Sequence, residues 1–147
     1  MTVSTETFVY VTYIATTPQK VWKALLEGEL TRQYWKAENV SDWKPGSKWE
    51  HVADDGKRTV KHVGKVLESL PNKRLVLTWG DVADAADAAK HSRVVIDIET
   101  VGEMVRLTVT HDELTSDMRR KITNGWPRVL SSLKSFLETG RPLDIYA

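Results

Sequence analysis

Cysteine is absent from this 147-residue chain, so no disulfide, thiolate zinc site, iron–sulfur cluster or cysteine nucleophile can form. A surplus of one charge sign is also missing, since 21 Lys and Arg stand against 20 Asp and Glu. That balance removes the long-range attraction expected of a nucleic-acid binder and leaves only local patches. No apolar run approaches the roughly 18 residues of a membrane span. The start, Met1-Thr2-Val3-Ser4-Thr5-Glu6, has neither the basic region nor the apolar core of a secretory leader. The expectation is a cytoplasmic protein without a nucleic-acid partner or membrane span. Common catalytic signatures are missing together: no Gly-x-Ser-x-Gly elbow, no phosphate-cradling Gly-Lys-Ser/Thr loop, no His-Glu-x-x-His and no dinucleotide glycine fingerprint. Hydrolase and nucleotide chemistry are disfavoured, no cofactor or catalytic residue is expected, and the reading leans away from an enzyme.

What remains is ordinary globular composition, 41% hydrophobic and 28% charged. A chain of this size buries about 68–70% of its unfolded surface, enough for one core in one domain over residues 1–147. Residues 7–14 are β-branched and aromatic and read as a strand. Thr16-Thr17-Pro18 is a cap followed by proline at the first helical position. The helix it opens carries Val21, Trp22, Leu25 and Leu26. Gly28 interrupts it before a short second helix ending in Tyr34-Trp35. Residues 36–47 read as loop. Lys48–Ala53 and Arg58–Leu67 flank Asp54-Asp55-Gly56-Lys57, where Asp-Gly signals a hairpin. Sorting apolar from charged side chains sets Trp49 opposite His62, Glu50 opposite Lys61 and His51 opposite Val60. Arg74–Trp79, Ser92–Val101 and Met104–His111 alternate as further strands. Gly80–His91, rich in alanine and aspartate, reads as a mobile loop or frayed helix, too short to stand without packing. From about Asp117 to Thr139 the period becomes 3.6, with Met118, Ile122, Trp126, Val129, Leu130, Leu133, Phe136 and Leu137 on one stripe. Gly140 and Pro142 stop it. Pro127 removes one backbone hydrogen bond and predicts a kink, which either opens a gap or fits the helix to a curved sheet. The fold class is α+β, a curved antiparallel sheet wrapped around a long C-terminal helix, with two short helices after the first strand.

These signatures, in order, resemble the START-like SRPBCC superfamily of helix-grip domains. Val21-Trp22 after Thr-Pro, and Trp43-x-Pro45-Gly46, resemble its opening. Gly64-Lys-Val66-Leu-Glu68-x-x-Pro71-x-x-Arg74-Leu75-Val76-Leu77-Thr78-Trp79 resembles the central block of the branch named for the activator of the heat-shock chaperone ATPase. Arg106–His111 resembles that branch's last strand, and Gly125-Trp126-x-x-Val129-Leu130-x-x-Leu133-Lys134-x-x-Leu137-Glu138-x-Gly140 its closing helix. The match runs from about Phe8 to Leu143; Gly80–His91 is longer and richer in alanine than the pattern. The resemblance implies a hydrophobic cavity between helix and sheet that takes apolar or aromatic small molecules, or a co-chaperone-like role.

On the inward face, Trp49, Trp79 and Trp126 are either plain core or the wall of a ligand cavity, with Leu77, Ile96 and Leu130 beside them. His51 and His62 share that face, with His111 at the end of the last strand. No carboxylate is expected with them, so a metal site is disfavoured, and they read as satisfied histidines or as polar handles in an apolar pocket. The candidate ligand-binding set is Trp49, His51, His62, Leu77, Trp79, Ile96, Trp126 and Leu130. Asp112-Glu113 read as solvated loop carboxylates. Arg119, Arg120, Lys121, Arg128, Lys134 and Arg141 form a basic outer side of the last helix, either simply solvated or a docking face for an acidic partner. The favoured function is non-enzymatic binding of a hydrophobic, aromatic small molecule. The alternatives are docking on a heat-shock chaperone, with homodimerisation open, and an enzyme acting on a polyketide-like or aromatic substrate.

Overall fold

The computed structural model describes residues 5–147; Met1–Ser4, and with them most of the leader-free reading, lie outside the described residues. The order is β1 (Glu6–Ile14), α1 (Pro18–Leu26), α2 (Gly28–Trp35), β2 (Ala37–Ser41), β3 (Lys48–Ala53), β4 (Val60–Leu70), β5 (Arg74–Asp81), β6 (Ser92–Val101), β7 (Met104–Leu114) and α3 (Ser116–Thr139). The strands form one antiparallel seven-stranded sheet in the order β1-β7-β6-β5-β4-β3-β2. This is the α+β helix-grip architecture the sequence predicts.

Local chemistry fixes the ends of the helices. Thr17 caps α1 by accepting from Lys20 N, and Pro18 takes the first position. Thr115 caps α3 in the same way through Met118 N at 3.2 Å. Gly140, at φ 81°, ends α3 in the left-handed region that favours glycine, its N–H returning to Phe136 O. Between these ends α3 continues through Pro127. Alternate residues of β5, β6 and β7, among them Leu75, Leu77, Val94, Ile96, Leu107 and Val109, join Val21, Leu25, Leu130 and Leu133 in one core.

β1 is an edge strand, and α3 covers its open side with side chains. Glu138 accepts from Ala15 N at 2.8 Å, while Lys134 Nζ donates to Tyr13 O and Arg119 Nε to Thr7 O. An edge whose backbone groups are occupied is a poor template for stray pairing.

Four expectations are corrected. Residues 36–47 are not all loop, because β2 pairs there with β3. The β3–β4 register is shifted by two residues: Trp49 faces Gly64, Glu50 faces Val63 and His51 faces His62. Asp55 causes the shift by gathering the turn, its carboxylate accepting from Lys57 N and from the Thr59 hydroxyl, with Arg58 in a left-handed conformation. A bulge between His51 and Val52 absorbs the remainder. A slip of two preserves which face each side chain occupies, so the inward set survives. Finally, β5 runs on through Gly80-Asp81, and the rest of the alanine-rich stretch forms two short 3-10 turns, Val82–Asp84 and Ala88–Lys90, instead of an α-helix. His91 Nε2 meets Asp84 O across them at 2.9 Å. Asp112 lies within β7, where Arg93 grips it with two hydrogen bonds of 3.1 and 2.7 Å.

Candidate functional site

At the end of the sheet where α3 begins, helix and strands part to leave a cavity of about 380 Å³. α3 supplies Met118, Lys121, Ile122, Gly125, Trp126 and Val129, which recur at the three- and four-residue spacing of one helix face. Opposite stand His51 from β3, His62 and Lys61 from β4, and Trp79 and Asp81 from β5. Trp35, at the end of α2, and Tyr146, from the C-terminal tail, complete the wall. At Gly125 an added Cβ would meet nothing within 4 Å, so the helix wall is open there.

Trp79 is the hub of the aromatic wall, with ring centroids 4.9 Å from both Trp49 and His62, 5.7 Å from Trp126 and 6.3 Å from Trp35. Its neighbour Trp49 is held from below by donating to Thr78 O at 2.7 Å. That approach needs Gly64, where a Cβ would lie 1.9 Å from Thr78 O and 2.5 Å from the Trp49 indole nitrogen.

Hydrogen-bond direction fixes the state of two histidines. Ser92 has one hydroxyl hydrogen and gives it to Trp79 O at 3.0 Å, so it accepts from His111 Nε2 at 2.7 Å. His111 Nδ1 is then a bare lone pair, and it accepts from Trp126 Nε1 at 3.0 Å. Burial, which outweighs the attraction of Asp112, holds His111 down to about 4. This relay orients Trp126 on the cavity wall and uses up His111 entirely.

In β2, Asn39 donates from its amide nitrogen to Leu25 O and presents its oxygen to His51 Nδ1 at 2.7 Å. His51 therefore carries its proton on Nδ1 and keeps an acceptor lone pair on Nε2. Burial, then the nearby His62, lowers its pKa to about 3. Trp35 packs on this imidazole at 4.7 Å. His62 is also shifted down, by burial first and further by Lys61 and Lys121, against the opposing pull of Asp81. Its Nδ1 is buried without a hydrogen bond, with Asp81 Oδ1 3.6 Å away, beyond hydrogen-bond length.

Of the eight residues predicted for ligand contact, His51, His62, Trp79 and Trp126 line this cavity together. Trp49, Leu77 and Ile96 lie deeper, around a residual void of only about 10 Å³ that Trp79 and Trp126 also border. Leu130 is buried in the core. The expectation that no carboxylate accompanies the histidines is corrected by Asp81, which faces His62 across the β4–β5 ladder. Among the described residues no group of three or more His, Cys, Asp or Glu can hold a metal. Sequence reasoning missed Trp35, Lys121 and Tyr146 as cavity residues. The expectation that Lys121 belongs to the basic outer side of α3 is corrected, since it lines the cavity beside Ile122 and Gly125; nothing local marked the tail.

The basic outer side of α3 is largely engaged at home. Arg119 and Lys134 hold β1, Arg128 donates to Ile145 O, and Arg120 pairs with Asp117. No helix among the described residues is long and apolar enough to cross a membrane.

Comparison with protein families matches residues 15–138 to the model described as Activator of Hsp90 ATPase homolog 1-like protein. The chain belongs to this family. Among solved structures, neighbours in fold include the Aha1 dimer from Colwellia psychrerythraea, 21% identical with a TM-score of 0.75, covering 92% of this chain and 98% of that one. Protein MLL2253 from Mesorhizobium loti is 26% identical, TM-score 0.73, over 90% of this chain and 96% of that one. CalU16 from Micromonospora echinospora is 18% identical, TM-score 0.74, over 92% and 78%. Among curated proteins none matches the sequence.

Proposed function

We propose that this member of the homolog 1-like family binds an aromatic small molecule, without turning it over, in the cavity between α3 and the β3–β5 end of the sheet, in the cytoplasm. The observation that carries this reading is the contrast between two regions of one aromatic cluster. Inside, tryptophans close the interior to about 10 Å³; at the end of α3 the same cluster faces about 380 Å³ of space. A space of that size lies in the range of small-molecule pockets, and apolar walls with a few placed polar groups are their usual composition. His51 and His62 are those polar groups. Docking on a heat-shock chaperone is suggested by the family's name, but the side chains it would use are mostly committed within the fold.

The test is intrinsic tryptophan fluorescence titrated with flavonoid-like and fatty compounds, in the native chain and in Gly125→Leu. The leucine fills the cavity from the helix side without removing a core residue or a fluorophore. Saturable quenching in the native protein, lost in a Gly125→Leu variant with unchanged circular dichroism, is the expected result. If no compound perturbs the fluorescence, while a chaperone ATPase is stimulated in a manner needing Arg119 and Arg120, docking replaces the cavity reading.

A further inference from the structure

The cavity's polar groups are unevenly placed, and their placement constrains the ligand. Deep in the wall, His51 presents only an acceptor, because Asn39 fixes the proton on its other nitrogen. A ligand group reaching it has to be a donor, such as a hydroxyl or ring N–H. The mouth has two rims. On the β4–β5 rim Lys61 and Asp81 carry opposite charges. On the α3 rim a groove of about 330 Å³ continues from the cavity, sharing Trp35, Lys121, Gly125, Val129 and Tyr146 and adding Asn124, Arg128 and Ile145. Among the described residues Asp81 is the one acidic side chain lining the cavity, and the groove has none. Asp144 borders a separate depression on the far side of Arg128, which lines both it and the groove. The route from the tryptophans to solvent over α3 is therefore cationic on one side and apolar beneath.

We infer that the ligand is an aromatic acid: its rings lie against Trp35, Trp79 and Trp126, a donor on the ring meets His51 Nε2, and its carboxylate lies in the groove by Lys121 and Arg128. This rests on the cavity reading above and specifies its chemistry. A carboxylate on the opposite rim would meet Asp81, whereas the α3 rim offers an ammonium and a guanidinium. Arg128 uses one nitrogen to hold Ile145 O at 3.4 Å, and its remaining N–H groups stay available. The tail that carries Tyr146 is thereby tied to the residue that receives the anion.

The experiment is isothermal titration calorimetry with four matched probes: a hydroxynaphthoic acid, its methyl ester, the corresponding methoxynaphthoic acid, and naphthalene. The ester removes the anion and the ether removes the donor, with the ring unchanged. The hydroxy acid is expected to bind roughly three- to tenfold more tightly than the ester, the scale of two partly exposed ion pairs. It should exceed the methoxy acid by roughly three- to tenfold, the scale of one neutral hydrogen bond. Added salt should weaken the acid and leave the ester unaffected. Lys121→Glu, an exposed substitution, should abolish the preference for acid over ester. If acid, ester, ether and naphthalene bind equally, or if Lys121→Glu leaves the preference intact, the acid assignment is overturned while the aromatic cavity stands. If none of the four binds, naphthalene included, both the assignment and the cavity reading fall.

Discussion

Ser92 does more for the site than its size suggests. Its hydroxyl gives one hydrogen bond to Trp79 O and takes one from His111, which frees the other side of that imidazole to hold the Trp126 indole. The relay runs from the Trp79 backbone carbonyl to the Trp126 indole, so one small side chain ties the orientation of Trp126 to strand β5. Ser92→Ala removes an oxygen and little volume, but it leaves the buried His111 Nε2–H without its partner. The expected loss is about 1–3 kcal/mol, read from urea unfolding, because an orphaned buried polar group costs its full desolvation. A loss below about 0.5 kcal/mol would mean that water takes over the serine's role and that the relay does not orient Trp126. None of this was legible beforehand. His111, Ser92 and Trp126 are far apart in sequence and only the β6–β7 ladder with α3 above it unites them. Their residue types suggested a satisfied histidine or a polar handle, a strand start, and an aromatic of the core or the cavity wall.

Among elements, α3 was the most legible and β2 the least, for physical reasons. Twenty-four residues of 3.6 periodicity with caps at both ends leave little choice. Ala37-Glu-Asn-Val-Ser41 is a short, polar edge strand whose inward residues are Ala37 and Asn39, the latter buried because it bridges Leu25 O and His51. Hydrophobic alternation cannot reveal a strand whose buried positions are an alanine and an amide. The hairpin register failed differently. Face sorting is blind to a slip of two, and only the Asp55-centred turn decides between the alternatives. Within α3, Gly125 is the anomaly, a glycine in a helix interior with open space where its Cβ would stand. Replacing it with alanine should stabilise the protein by about 0.5–1 kcal/mol through lower backbone entropy in the unfolded chain. Urea midpoints check this. A gain in stability together with weaker ligand binding would mean that glycine is kept there for room; a destabilised Gly125→Ala would mean that the helix wall is tighter than its geometry indicates.

For the molecule as a whole, the cost of building a cavity from histidines falls on its acid stability. His51 and His111 are held neutral, at about 3 and about 4 against an ordinary 6.5, chiefly by burial. Around them stand His62, also displaced downward, Asp81 and Asp112, which oppose the displacement, and Lys61 and Lys121, which add to it. In the unfolded chain all three imidazoles bind protons near their ordinary value. The unfolded state therefore takes up more protons than the native state below about pH 6.5, and stability falls as the pH drops. The direction is that of groups whose folded pKa is depressed: the contribution is complete above about 6.5 and fades on the way down to about 4. Each histidine contributes about 1.4 kcal/mol per pH unit inside that window. Two of them across some two units amount to about 5 kcal/mol, a large share of the 5–15 kcal/mol that holds a typical domain. Carboxylates stabilised by partners, among them Glu99 with Arg106 and Glu138 with the Ala15 N–H and Lys134, are displaced downward as well, so their losses come at still lower pH. Urea unfolding followed by tryptophan fluorescence should give midpoints that are flat above about pH 7 and fall steeply between 6.5 and 4, with uptake of about two protons on unfolding. A ligand that fills the cavity and binds only the native state should raise the whole curve without moving the pH at which the fall begins, unless it changes the proton affinity of His62 at the cavity wall. A midpoint that stays level down to pH 4.5 would show that His51 and His111 accept protons in the native fold, and the directed relay through Ser92 and Trp126 could not then be as described.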